Sequence, residues 1–105
     1  MSPNTLPETT NTDEKTLAEQ NVPLAKYLAG LWVERWQINS VDEREEMTAD
    51  ALLGLVQAAR VWRSDQGVPF SAFARRRIVG AILNGRKSRT SKLLTVSLEA
   101  LTVAI

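Results

Sequence analysis

At 105 residues, with no cysteine and no histidine, the chain has room for one small domain and lacks disulfides, thiolate or imidazole metal sites, and Cys or His catalysts. No apolar stretch approaches the roughly 20 residues of a membrane span, and MSPNTLPETTNTDEK at the start has neither the basic residues nor the hydrophobic run of an export signal, so the chain reads as cytoplasmic. The net charge of +1 conceals a division: residues 1–55 hold four basic against ten acidic residues, net −6, and residues 56–105 hold nine against two, net +7.

That division points to a polyanion as partner for the second half and a basic partner for the first. The alternative is that the two halves neutralise each other within the fold.

Residues 1–20 are rich in Thr, Asn, Glu and Pro and nearly devoid of apolar side chains. Ordering them would cost entropy that no burial returns, so a flexible tail is expected there. From Asn21 the pattern turns helical. Asn21 is placed to cap, Pro23 suits a first turn, and Leu24, Leu28, Leu31 and Trp32 recur at helical spacing, predicting a helix to about Trp36. QINSVD breaks it, with Asn39, Ser40 and Asp42 supplying turn and cap chemistry.

A second helix is expected from about Asp42 or Glu43, where clustered acids favour the positive end of a helix dipole. Met47, Ala51, Leu55, Ala58 and Trp62 form its apolar stripe, and Asp50, Leu53, Gln57 and Arg60 the opposite, largely polar one. RSDQG ends it, with Gly67 suited to a positive φ. Pro69 then opens a third helix whose buried stripe is Phe70, Phe73, Ala74, Ile78, Ala81 and Ile82, ending near Asn84 or Gly85. Gly80 beside that stripe offers room for another backbone.

RKSRTSK reads as a polar basic connector, and Ser97 as the cap of a short terminal helix carrying Leu98, Leu101 and Val103. The expected organisation is thus a disordered tail over 1–20, a helical domain over 21–86, and a connector with a short helix over 87–105. The fold class is all-α, a small bundle of three to four helices.

Catalysis finds no support. GVPFSAF lacks the glycine spacing and lysine of a phosphate loop, and Ser71 and Ser97 have no base in reach of the pattern. Glu43, Glu45, Glu46 and Asp50 read as a solvated helix start, not a cation site. No enzyme activity, cofactor or metal is expected.

The arginines are the remaining signal. On a helix, Arg75, Val79, Ile82 or Leu83, and Arg86 share roughly one face, flanked by Arg76 and Lys87 and continued by Arg89 and Lys92. Guanidinium groups match phosphate bidentately, so the row suits a nucleic-acid backbone. Phe73 either packs in the core or offers its ring to an unstacked base, a contact worth about 1–3 kcal/mol. Arg77 lies three to four residues from Phe73, Ala74 and Ala81, close to the buried stripe, and is open to two roles, bracing the fold through a carboxylate or touching DNA. Phosphate contact is therefore assigned first to Arg75 and Arg76. The competing reading makes all these arginines the solvated face of an unrelated bundle.

The order and spacing of NVPLAKYLAGLW and of EEMTADALLGLVQAARVWRSDQGVPFSAFARRRIVGAIL resemble region two of bacterial sigma factors of the sigma-70 family, most closely the flagellar and sporulation types. Gly54-Leu55, Ala58, Trp62, Gly67, Phe70, Phe73-Ala74, Arg77-Ile78 and Gly80-Ala81 fall in register over roughly Asn21 to Asn84. The resemblance implies a helical domain that binds the clamp helices of the largest RNA polymerase subunit and engages the promoter −10 element as single strand. It puts the polymerase face on Glu46, Thr48, Ala49, Asp50, Leu53 and Gln57. It puts the DNA face on Phe73, Arg75, Arg76, Arg77, Val79 and Leu83, with Arg86 and Lys87 extending the basic row.

The chain departs from the family at several places. Ala49 and Ala51 stand where the family usually has Gln and Gly, Arg76 and Arg77 replace the paired tryptophans of primary sigma factors, and Val79 stands where a basic residue is common. Full sigma factors continue into a helix-turn-helix domain for the −35 element, and VSLEAL looks like the linker that leads there. The resemblance therefore implies a fragment, a truncated form or a stand-alone region two. A rival expectation is an interaction protein of the same fold that occupies polymerase or an anti-sigma factor without opening a promoter.

Overall fold

Most of the described residues lie in four helices. They are α1 (Thr5–Gln20), α2 (Val22–Arg35), α3 (Val41–Val61) and α4 (Phe70–Ala104), with one 3-10 turn at Ser64–Gln66. The structure, a computed structural model, describes the backbone of residues 5–104 and the side chains of residues 13–100. No strand occurs among the described residues, and the fold is all-α as the periodicity requires.

Local chemistry sets most helix ends. Pro23 sits in the first turn of α2. The α2 C-terminus closes without glycine: Gln37 takes φ 51°, its N–H reaches the Glu34 carbonyl at 3.1 Å, and the Ile38 N–H reaches the Val33 carbonyl at 3.0 Å. Those two bonds are the paired closure of a left-handed helix terminus. Ser40 caps α3, its Oγ accepting from the Glu43 N–H at 3.3 Å, with Asp42 and Glu43 in the first turn. Gly67, at φ 73°, makes the turn expected of it. Asn21 behaves differently from its expected role. Its side chain makes no cap bond to α2, and Nδ2 donates to the Leu17 carbonyl at 2.8 Å, closing α1.

The core runs along α3 and α4. Met47, Ala51, Leu55 and Ala58 on one and Phe70, Ala74, Ile78 and Ile82 on the other are buried, joined by Ala25, Leu28 and Ala29 of α2 and by Ile38. Burial of these side chains is the dominant stabilising term. Trp62 and Phe70 meet edge to face at 5.5 Å, and the Trp62 indole N–H donates to the Val68 carbonyl at 2.8 Å, tying the turn to the core.

Helices α3 and α4 are antiparallel in a register marked by two glycines. A Cβ at Gly54 would lie 2.9 Å from the Ala81 Cβ, the Arg77 carbonyl oxygen and the Ile78 Cα, and one at Gly85 would overlap the Asp50 carboxylate. The close approach expected at Gly80 occurs at these two positions, since nothing lies within 4 Å of a Cβ built at Gly80.

Two expected boundaries move. Leu17 and Ala18, at the end of α1, are half-buried against the core, so packing begins before Asn21. Residues 1–4 and the side chains of 5–12 lie outside the described residues. At the other end, the break expected after Asn84 or Gly85 is absent, and neither a connector nor a separate terminal helix capped by Ser97 forms. Helix α4 continues without interruption to Ala104, because Gly85 fits against Asp50 and Arg89 is pinned to α3 one turn further on. From Thr90 to Ala100 every side chain of α4 is exposed; those of Leu101 and Val103 lie outside the described residues.

Candidate nucleic-acid interface

The basic residues divide by what they touch. Arg75 and Arg76 are exposed and make no ion pair or side-chain hydrogen bond among the described residues. Arg77 is exposed as well, its guanidinium 5.5 Å from the centre of the half-buried Phe73 ring, and among the described residues no carboxylate pairs with it. That contact accounts for the proximity of Arg77 to the buried stripe, with an aromatic face in place of the expected acid.

At 100° per residue, the expected DNA residues wrap around the solvent side of α4 in three rows. Arg76, Leu83 and Lys87 occupy the middle, and Leu83 is 43 % exposed. Phe73 and Arg77 form one flank. Arg75, Val79 and Arg86 form the other, which faces the end of α2. Arg86 leaves the outer edge, where the sequence put it, and lies over the Trp36 ring, 4.1 Å from its centre. Trp36 in turn stands 4.8 Å from Trp32, the two rings tilted 47° to each other, and Arg35 lies 5.5 Å from the Trp32 centre, so four side chains meet in series from α2 to α4.

Arg89 is also drawn inward. Its Nε donates to Glu46 Oε2 and its Nη1 to Asp50 Oδ2, both at 2.8 Å. Glu46 and Asp50 are one turn apart on α3, so a single guanidinium spans both.

The six residues of the expected polymerase face on α3 do not act as one surface. Glu46, Asp50, Leu53 and Gln57 lie on one side, where Leu53 is 56 % exposed and Gln57 is exposed. The two carboxylates there are engaged by Arg89. Thr48 points elsewhere: it lines a shallow groove with Val41, Arg44, Glu45, Ala49 and Leu52, and its hydroxyl donates to the Arg44 carbonyl at 3.0 Å. Ala49, exposed, is the residue between the two sides.

Trp36, Arg89 and the close-approach glycines Gly54 and Gly85 were not singled out for these roles by sequence. The only advance signal was the i, i+4 pair Glu46 and Asp50, which marks a place for one bridging cation without naming it.

Among the described residues no cluster of acidic side chains is arranged to hold a metal ion, and no helix is long and apolar enough to cross a membrane. A family model described as Sigma-70 region 2 matches residues 17–92, from the last turn of α1 to the middle of α4. No curated protein and no solved structure matches the chain at a significant level.

Proposed function

Because this chain belongs to the sigma-70 region 2 family, a family of transcription initiation whose members engage core RNA polymerase and promoter DNA, we propose that it binds core polymerase through α3 and contacts −10 promoter DNA through α4. The observation that carries this reading is the state of Arg75 and Arg76. Two neighbouring guanidinium groups stand in solvent with no acidic partner among the described residues, while Arg89, further along the same helix, is held by Glu46 and Asp50. Unpaired arginines on one helix face are an electrostatic footprint for a phosphate backbone.

The DNA face in this reading is Phe73, Arg75, Arg76, Arg77, Val79, Leu83 and Lys87. Arg77 over Phe73 leaves part of the ring open for a base while supplying a cation beside it. The polymerase face centres on Ala49, Leu53 and Gln57, with Glu46 and Asp50 at its edge, and the clamp helices of the largest subunit are its partner. In this reading the chain is of the flagellar and sporulation type, works in the cytoplasm at the nucleoid, and has no catalytic role.

Retention on immobilised core polymerase, followed by gel shifts with a single-stranded −10 oligonucleotide, tests both halves. Retention together with a shift that weakens steeply as salt rises is the expected result. No retention at low salt removes the polymerase half, and retention without any shift removes the DNA half.

A further inference from the structure

The end of α4 is unlike the rest of the helix. Arg89 pairs with Glu46, and α3 begins at Val41, five residues before Glu46. Five residues the other way along the antiparallel α4 lies Leu94, so α4 outruns α3 by roughly three turns. Every side chain from Thr90 to Ala100 is exposed there, and Leu93, Leu94, Val96 and Leu98 are between 61 and 69 % exposed. A helical stretch of this length is marginal in water when nothing packs along it.

The apolar positions are ordered. Leu94, Leu98 and Leu101 are spaced four and three residues apart, the seam repeat of a helix pair. Further back on α4 is a groove of about 300 Å³ bordered by Trp36, Leu83, Arg86, Lys87, Thr90 and Ser91. Its surface is mostly the indole, the leucine and the hydrocarbon stems of the two basic side chains. At 100° per residue, Leu83, Lys87, Leu94, Leu98 and the helix position of Leu101 fall within about 60° of one another, so the seam and the groove share one face.

That face complements itself when two copies lie antiparallel. With Leu94 against Leu98 of a second copy, and Leu98 against its Leu94, position 101 falls against Ser91 and the following turn runs beside the groove. A parallel pair would instead bring Arg76 and Lys87 against their own counterparts, and like charges so placed repel. The antiparallel pair sets Lys87 beside the turn LTVA, which carries no charge. The net charge of +1 leaves little long-range repulsion between copies.

We propose that this chain forms a two-fold symmetric dimer through antiparallel pairing of the α4 ends, Leu94 packing on Leu98 of the second copy and the turn that starts at Leu101 covering the groove beside Trp36. The dimer stands apart from the polymerase and DNA reading. Where that reading puts Leu83 and Lys87 on the DNA face, dimer and DNA compete for this part of α4.

Sedimentation velocity of the full chain over a concentration series from micromolar to millimolar tests the pairing, and the mass is expected to rise from one copy to two. Leu94→Glu and Leu98→Lys each bring a charge into the seam and should weaken association at least about tenfold. Both side chains are exposed in the single copy, so the melting temperatures should hold. Mixing the two variants should restore association, because an antiparallel pair then sets the introduced carboxylate against the introduced ammonium and leaves the other leucine layer intact.

A single-copy mass at every concentration overturns the dimer, and sedimentation of that single copy with phosphatidylglycerol vesicles would assign the leucines to a lipid surface instead. A dimer that neither variant weakens places the contact elsewhere and overturns this one. Variants that stay apart when mixed overturn the antiparallel register.

Discussion

Arg89 on α4 and Asp50 on α3, 39 residues apart in the chain, meet at 2.8 Å, and the same guanidinium reaches Glu46 at 2.8 Å. This bridge fastens the helix of the candidate DNA face to the helix of the candidate polymerase face. It also explains why α4 runs straight through a glycine and a polar, basic stretch that reads as a connector.

Removing the bridge leaves Asp50, whose side chain is only 20 % exposed, without its cation. Arg89→Ala is expected to destabilise the fold by about 1–2 kcal/mol, between the values for surface and buried pairs. Thermal unfolding followed by far-UV circular dichroism checks this, and hydrogen exchange should show faster opening of α4 beyond Gly85. A melt unchanged from the parent protein would rule out a stabilising role for the bridge.

Gly54 and Gly80 make a matched pair. Gly54→Ala forces a Cβ to 2.9 Å from two backbone atoms of α4, an overpacking expected to cost about 1–3 kcal/mol. Gly80→Ala meets nothing within 4 Å and should stabilise by up to about 1 kcal/mol through helix propensity. Urea unfolding of the two variants gives opposite signs if the helix contact lies at Gly54, and the reverse order would place it at Gly80.

Gln37 holds φ 51° at the end of α2, a conformation that costs an L-residue roughly 1 kcal/mol. Gln37→Gly relieves that cost while adding some backbone entropy to the unfolded chain. A net gain of about 0.5 kcal/mol is expected, read as a raised unfolding midpoint in urea, whereas Gln37→Val should lower it.

Arg75→Ala and Arg76→Ala touch no packing and should leave the melting temperature within error of the parent protein. Each is expected to reduce the salt dependence of single-strand binding by about one unit of slope. Binding that keeps the parent slope in the double variant would show these arginines to be a solvated face.

How much of this was legible follows from the range of each interaction. The stripe Met47, Ala51, Leu55, Ala58 and its counterpart Phe70, Ala74, Ile78, Ile82 could be read because a helix repeats every 3.6 residues and its buried face leaves that period in the residue order. Gly67 and Ser40 were equally visible, since a turn and a cap are decided within a few residues. The all-α class and the basic second half rest on signals of that kind.

Helix α4 shows where such signals stop. Gly85, Ser88 and Ser91 weaken local helix preference, and nothing within their own segment reverses it. The α3 surface does so, through Asp50 against Gly85 and the two carboxylates on Arg89.

The same holds for the site. Sequence alone determined that α4 carries arginines on a helix with an apolar back. Only tertiary packing decided that Arg75 and Arg76 stay in solvent, Arg77 lies over Phe73, Arg86 stacks on Trp36 and Arg89 is consumed in an ion-pair bridge. An arginine's side chain is long enough to choose among partners on other helices, and which partner lies in reach is fixed by how α2 and α3 pack against α4.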